Sequence, residues 1–255
     1  MGFLTDVVKR VRRELDEHPL PEGTLLLRTQ AAPPPVDLEA ALRRPGIGVV
    51  AEVKRASPSA GAITETDPGR QAERYEEGGA RAISVLTERR HFGGALADLR
   101  LVRAHTTLPV VRKDFIVHPA QVLEARANGA DAMLLIVGAL TDAELQGLLA
   151  VAGDLGMAAL VEGHTEVEVR RAVESGAEVI GVNSRDLESL DVDLARGLRL
   201  LELVPDDRVK VLESGVTSRE DVARAEAAGA HAVLVGEALM RAPEPARRIR
   251  ELLAG

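Results

Sequence analysis

Gly129-Ala-Asp-Ala-Met133, running on into Leu134-Leu-Ile-Val137, decides how the rest of the chain is read. A glycine before the apolar run suits the left-handed residue that ends a helix. Consecutive apolar residues suit a strand covered on both faces. The same form returns at Gly79-Ala-Arg-Ala-Ile83, Gly176-Ala-Glu-Val-Ile180 and Gly229-Ala-His-Ala-Val233. The four copies lie about 50 residues apart, each behind a charged, helix-like segment. Between copies there is room for one further apolar strand, at 108–112, 157–161 and 209–212, and another at 49–53 precedes the first copy. Eight strands alternating with helices predict an α/β chain folded as a (β/α)8 (TIM) barrel. An open doubly wound sheet alternates in the same way, but its early Gly-x-Gly-x-x-Gly loop is absent here.

Ahead of the barrel, residues 3–17 place Phe3, Leu4, Val7, Val8, Val11 and Leu15 at helical spacing, which predicts an amphipathic helix. A Pro-rich connector follows (Pro19, Pro21, Pro33-Pro-Pro35), then a short helix from Asp37 that stops near Pro45-Gly46. The expected organisation is one domain over 1–255, with an N-terminal helical extension over 1–47 and the barrel over 48–255.

Composition removes several classes of function. With no Cys, the chain has no disulfide, thiolate metal site or Cys nucleophile, which fits a reducing compartment. A formal net charge of −8 without a basic block argues against a nucleic-acid partner. The longest apolar run, Ala132–Val137, is far too short to span a bilayer. The segment MGFLTDVVKRVRREL lacks the continuous apolar core of a signal peptide. A soluble, cytoplasmic protein with no membrane partner is expected.

In such a barrel, chemistry gathers at the C-terminal ends of the strands. The polar groups expected there are Glu52, Lys54 and Ser57 after the first strand, Lys113 and Asp114 after the third, and Glu162 after the fifth. The sixth supplies Asn183 and Arg185, the seventh Glu213, Ser214 and Gly215, and the eighth Gly236 and Glu237. Strand residues two apart share a face, so Glu52 and Lys54 point together into the mouth. A structural ion-pair network of Lys54, Glu52 and Glu162 is one reading of these charges. Against it, the chain has four Lys to twenty-eight Arg, and two of the four Lys fall at this mouth. Ammonium groups shift their pKa and transfer protons where guanidinium does not, so Lys here suggests proton chemistry.

Ser214-Gly215 and Gly236-Glu237 occupy the loops where many barrels bind phosphate through backbone N–H groups. Arg185 is either a further contact to that anion or a solvated loop residue. Phe92 and Phe115 fall in loops on the same face and, with Leu134, can wall a pocket for an aromatic ring. His91, His105, His118 and His164 show no metal spacing and read as isolated, solvated residues, so no metal is expected.

Together, Val49–Ile63, Arg112-Lys-Asp-Phe115, Val161-Glu162, Gly181-Val-Asn-Ser-Arg-Asp-Leu187 and Glu213-Ser-Gly215 closely resemble the motifs of the indole-3-glycerol phosphate synthase family, and the likeness extends over essentially the whole chain. The resemblance implies a cofactor-free carboxy-lyase of tryptophan biosynthesis. Its substrate would be 1-(2-carboxyphenylamino)-1-deoxyribulose 5-phosphate, a phosphorylated small molecule closed to indole-3-glycerol phosphate with loss of CO₂ and water. It further implies Lys113 as general acid for ring closure, Glu162 as acid/base and Lys54 as the aid to dehydration on the phosphate side. Glu52, Asn183 and Glu213 would orient these groups. Ser214, Gly215, Gly236 and Glu237 would hold the phosphate with Arg185 nearby, and Phe92, Phe115 and Leu134 would enclose the anthranilate ring. Ser57 would bound the site, and the chain would act as a monomer, or at most a weak dimer.

Four positions depart from the family pattern: Ala60 for Lys, Ser184 for Asn, His118 for Asp and Ala95 for Ser. None replaces a residue assigned to chemistry. Ala60 and Ala95 remove polar contacts from loops on the catalytic face. Two other readings of the residues remain: a Schiff-base aldolase using a strand Lys beside a Glu, and an inactive homologue that only binds phosphorylated ligands.

Overall fold

In a computed structural model of the protein, residues 2–57, 61–62 and 66–254 are described. Eight strands close into a parallel barrel: β1 (Gly48–Val53), β2 (Ala82–Leu86), β3 (Val110–Lys113), β4 (Ala132–Ile136), β5 (Ala158–Gly163), β6 (Val179–Asn183), β7 (Val209–Glu213) and β8 (Ala232–Val235). Each pairs in parallel with its sequence neighbours, and β1 closes the ring against β8 with Gly48 beside Ala232. The repeat that predicted this closure acts as expected. Gly79, Gly129, Gly176 and Gly229 all hold φ between 82° and 92°, where a side chain would be strained. The alanines after them, Ala80, Ala130, Ala177 and Ala230, are buried.

Strand parity sorts the apolar residues into two clusters. Val49, Ala51, Ile83, Val85, Met133, Leu135, Ile180 and Val182 face outward into the helical ring. Val50, Val111, Leu134, Ile136, Leu160, Val179, Val211 and Leu234 fill the barrel's interior. Each strand is thus covered on both faces, and that explains its unbroken apolar run. Truncating a fully buried leucine such as Leu160 in this kind of packing costs about 2–5 kcal/mol.

The extension wraps the barrel from mouth to floor. Helix α1 (Phe3–Glu17) lies against the mouth, where Leu4 N donates to Leu187 O at 3.2 Å and Arg10 pairs with Glu88 at 2.7 Å. Helix α2 (Glu22–Ala31) packs on α7 (Pro119–Ala127), and Arg28 donates to Ala127 O at 2.8 Å. The sequence predicts only a Pro-rich connector here. Its bounding prolines, and Leu26 and Leu27 left exposed, hide the periodicity of a short helix that buries little beyond Leu25 and Thr29. Helix α3 (Leu38–Leu42), capped by Asp37 as expected, closes the floor with Leu38 and Leu42.

Candidate active site

The cavity at the C-terminal mouth has a volume of about 570 Å³. Its lining includes Glu52, Lys54, Phe92, Lys113, Phe115, Leu134, Glu162, Asn183, Arg185, Glu213, Ser214, Gly215, Gly236 and Glu237. Ser57 gives its backbone to a two-residue strand, while its side chain and the whole of Ala60 lie outside the described residues.

Three strands converge on one ammonium group. Lys113, the last residue of β3, donates from Nζ to Glu213 Oε2 at 2.6 Å and to Glu162 Oε2 at 3.1 Å. Parity explains its direction: Arg112 turns the other way, where it meets Asp114 and Glu124 at 3.0 and 2.9 Å. Thr87 and Asp114 tie that outer side together at 2.5 Å, and Gln121 Nε2 donates to Phe115 O at 3.1 Å. The Lys113 stem is therefore carried by a backbone fixed on its far side.

Electrostatics at this cluster are lopsided, with two buried carboxylates beside one ammonium. Burial lowers the Lys113 pKa, but Glu162, Glu213 and Glu52 outweigh it and hold the ammonium above the ordinary lysine range. Burial likewise raises Glu162, yet Lys113 and His164 keep its carboxyl well below the usual value. Glu213 is pushed up, first by burial and then by the ionised Glu162 beside it. When the pair takes up a proton, it settles on Glu213. Glu213 Oε1 has no hydrogen-bond partner among the described residues. It lies over Gly181, where a Cβ would stand 2.3 Å from it.

Glu52 and Lys54 form a second pair at 2.9 Å. Gly236, at the end of β8, leaves them room, since a Cβ there would fall 2.3 Å from Glu52 Oε1 and 2.9 Å from Lys54 Nζ. Tyr75 backs the strand by donating to Glu52 O at 3.1 Å. The alternative of a single network joining Lys54, Glu52 and Glu162 is thus divided: Lys54 pairs with Glu52, whereas Glu162 pairs with Lys113 and His164.

Ser214 and Gly215 both sit in the left-handed region, at φ 64° and 82°. A non-glycine residue such as Ser214 rarely takes this conformation, so the turn after β7 is held by its surroundings at the edge of the cavity. Arg185 is half-buried rather than solvated, with Nη1 donating to Leu190 O at 2.7 Å while its N–H donates to Asn183 Oδ1 at 3.0 Å. The apolar wall extends past Phe92, Phe115 and Leu134 to Phe3, Leu187, Leu190 and Val192. Phe3 stands edge-on to Phe115 with ring centroids 6.3 Å apart and to His91 at 4.9 Å. Sequence reading placed Phe3 on the extension but not at the site. Its being one of only four aromatics in the chain is the clue that was available.

The histidine expectation fails at His164, which is 4% exposed rather than solvated. Its Nε2 lies 2.9 Å from Glu162 Oε1 and its Nδ1 3.1 Å from Glu168 Oε2. The overlooked signal was spacing: Glu162 and His164 are two apart at a strand end, and Glu168 follows four later. His118 instead caps α7, accepting from Ala120 N at 3.2 Å, and His105 meets Glu73 on the surface. Ala95 starts α6 (Leu96–His105) with no side-chain cap, and Ser184 is wholly buried.

Comparison with known proteins shows the family. The family described as indole-3-glycerol phosphate synthase matches residues 4–252. A relative of that name from Mycolicibacterium smegmatis is 53% identical, covering 89% of this chain and 84% of its own. One from Micrococcus luteus is 52% identical over 97% of this chain and 96% of its own. Among solved structures, a 3-hexulose-6-phosphate synthase aligns at TM-score 0.66 and 17% identity, covering 82% of this chain and 99% of its own. The tryptophan synthase α-subunit of Pyrococcus furiosus aligns at 0.63 and 15%, covering 82% and 98%. These two likenesses concern the barrel alone. With a family match running nearly end to end and relatives above 50% identity, the chain belongs to the indole-3-glycerol phosphate synthase family.

Proposed function

We infer that the chain is an indole-3-glycerol phosphate synthase, closing the ring of 1-(2-carboxyphenylamino)-1-deoxyribulose 5-phosphate with loss of CO₂ and water. The observation that carries this reading is the Lys113 ammonium held by two buried carboxylates beneath an apolar wall. Such a substrate needs a cation for its carboxylate, a proton donor for its ketone, an anion nest and a face for its aryl ring. In this reading Lys113 pairs with the substrate carboxylate and protonates the ketone as the ring closes. Its glutamate partners keep it charged until then, so it enters as an acid. Ring closure leaves an iminium next to the carboxylate, and that iminium takes up the electron pair released with CO₂. The remaining work is proton transfer and charge stabilisation.

Glu162, kept ionised by its neighbours, is suited to remove a proton in the dehydration stage, with Lys54 protonating the departing hydroxyl. Glu52 holds Lys54 in place at 2.9 Å, and Asn183 and Glu213 orient the substrate hydroxyls. The phosphate goes to the main-chain amides of Ser214, Gly215, Gly236 and Glu237, with the charge of Arg185 nearby. Phe92, Phe115 and Leu134 clasp the anthranilate ring. The extension and barrel work as a single domain in this reading, and the enzyme acts as a monomer, or at most a weak dimer. A Schiff-base aldolase needs a neutral amine, and the paired carboxylates weigh against one at Lys113.

The test is fluorescence-detected formation of indole-3-glycerol phosphate from the carboxyphenylamino substrate, with Lys113→Ala alongside. Wild type should turn over and the variant lose nearly all activity. No product from wild type sinks the synthase reading, while full activity in the variant sinks only the role of Lys113. Trapping of an adduct with borohydride would support the aldolase instead.

A further inference from the structure

His164 stands directly behind Glu162, on the side away from Lys113, and nothing in the scheme above uses it. Its ring is enclosed by Glu162 at the end of β5 and by Glu168 in the first turn of α9 (Glu166–Glu174). Glu168 Oε2 takes both the His164 ring, at 3.1 Å, and the His164 backbone N–H, at 2.7 Å. Room for this arrangement is built in. A Cβ on Gly163 would come within 2.9 Å of Val169 N, and one on Gly138 within 2.8 Å of Glu168 Oε1. Glycine at both positions lets α9 approach until its first turn closes on the imidazole.

The charge count gives the ring a task. Glu162 and Glu213 are buried, Lys113 between them is partly so, and together the three carry one negative charge in excess when all are ionised. A proton on Glu213 is one remedy, and a second cation beside Glu162 is another. We propose that His164 is a positioning residue of the active site, an imidazolium clamped between Glu162 and Glu168 that fixes the Glu162 carboxylate and supplies its missing counter-charge. The inference rests on the reading of Glu162 as the acid/base.

The groups facing His164 all bear on this charge. Glu162 and Glu168 touch it, Asp186 in the loop after β6 acts on it from farther off, and Lys113 lies beyond Glu162. Gly138, on the neighbouring turn, brings no charge of its own. Burial disfavours the imidazolium, but the two carboxylates outweigh burial and raise the His164 pKa to about 10. The Nε2–Glu162 contact is short but lies outside hydrogen-bond angle, so the charge does more here than a directed bond.

A purely structural histidine, serving only to seat α9, is the alternative to be broken. Nitrogen-15 spectra of the six histidines of the wild-type protein should show the His164 ring doubly protonated at pH 8. His164→Leu should lower kcat about 10–100-fold with KM little changed, as expected when an acid/base group is kept but misplaced. Without the cation the Glu162 pKa rises, so the acid limb of kcat/KM should move up by about one pH unit. His164→Gln keeps a donor without the charge, so it should recover part of kcat but not the acid limb. A neutral His164 ring at pH 8 overturns the proposal. So do variants that melt earlier but retain the wild-type kcat and pH profile. Should His164→Leu fail to fold, His164→Gln and the wild-type spectra still decide. An inactive wild type would sink the synthase reading instead, and the spectra would still test the clamp.

Discussion

Asp131 at the floor of the barrel and Glu213 at its mouth are both buried carboxylates beside a cation, and their surroundings differ in kind. Asp131 Oδ2 accepts from Arg103 at 2.6 Å and from Val110 N at 2.8 Å, while Oδ1 accepts from Val36 N at 2.9 Å. Both oxygens are satisfied, and the residue ties the extension, β3 and α6 to the start of β4. Glu213 accepts from Lys113 on one oxygen and leaves the other without a partner among the described residues, next to a second carboxylate. A saturated buried charge rigidifies, whereas a half-satisfied one stores electrostatic tension that an arriving substrate can relieve. The floor holds the barrel shut, and the mouth is held ready to react.

The sharpest way to break this contrast is to remove the mouth's ammonium. Lys113→Met should cost about 10²–10⁴ in kcat, the range for a lost general acid. Its effect on stability should be small at pH 6, where Glu213 can hold a proton, and larger at pH 9, where two carboxylates must face each other. Steady-state kinetics with thermal melting at both pH values would check it, and equal destabilisation at the two would contradict the mouth's charge assignment. At the floor, Asp131→Ala takes the carboxylate from Arg103, which keeps its bonds to Leu108 O and Thr106 O, leaves two backbone N–H groups unpaired, and should cost about 3–5 kcal/mol of stability. The kcat of the folded fraction should not move. A fall in kcat would mean that floor and mouth are coupled.

The third expectation concerns His164. Its folded pKa of about 10 exceeds the usual histidine value of 6.5, so its ionisation contributes stability that is complete below about pH 6.5. That contribution is lost as the pH rises through about 10. Wild type should therefore exceed His164→Leu in melting temperature most at pH 6, with the gap narrowing toward pH 10. A gap independent of pH would mean the imidazole acts by packing alone.

What the sequence made legible, and what it hid, follows the same division. The four Gly-Ala repeats revealed the barrel because a left-handed glycine and a doubly covered strand are both local demands on residue type. Strand ends with ionisable residues revealed the mouth, since parity and the barrel rule place them without any tertiary knowledge. Helix α2 was hidden because it draws its stability from α7 rather than from its own pattern. His164 was hidden because its partner Glu168 is brought back by a turn of α9, so burial came from folding and not from an apolar context in sequence. Phe3 was hidden for a like reason: only the docking of α1 brings it to Phe115.

That docking makes a smaller prediction. Phe3→Ala opens the wall beside Phe115 without touching any ionisable group of the site. Aromatic pairs contribute about 0.5–1.5 kcal/mol beyond burial, so KM should rise several-fold, to about tenfold at most, with kcat nearly unchanged. A loss confined to kcat would move α1 from wall to participant in the chemistry.

The least effect is expected where the mouth carries no excess charge. Ala95 precedes α6 with extended backbone, φ −153° and ψ 154°, as an N-cap should have, but offers no oxygen to the first turn. Asp98, three residues on, is turned to Arg55, from which its two oxygens accept at 3.2 and 2.8 Å. Ala95→Ser would supply only the forward bond, from its hydroxyl oxygen to an N–H of the first turn. A gain of about 0.5–1 kcal/mol follows from one restored cap. Chemical denaturation should detect it, with kcat and KM both unchanged if the position serves only the helix. A lower KM in Ala95→Ser would instead show that the missing hydroxyl had been a contact to substrate, and that the mouth's polar requirement reaches one loop farther than its charged residues.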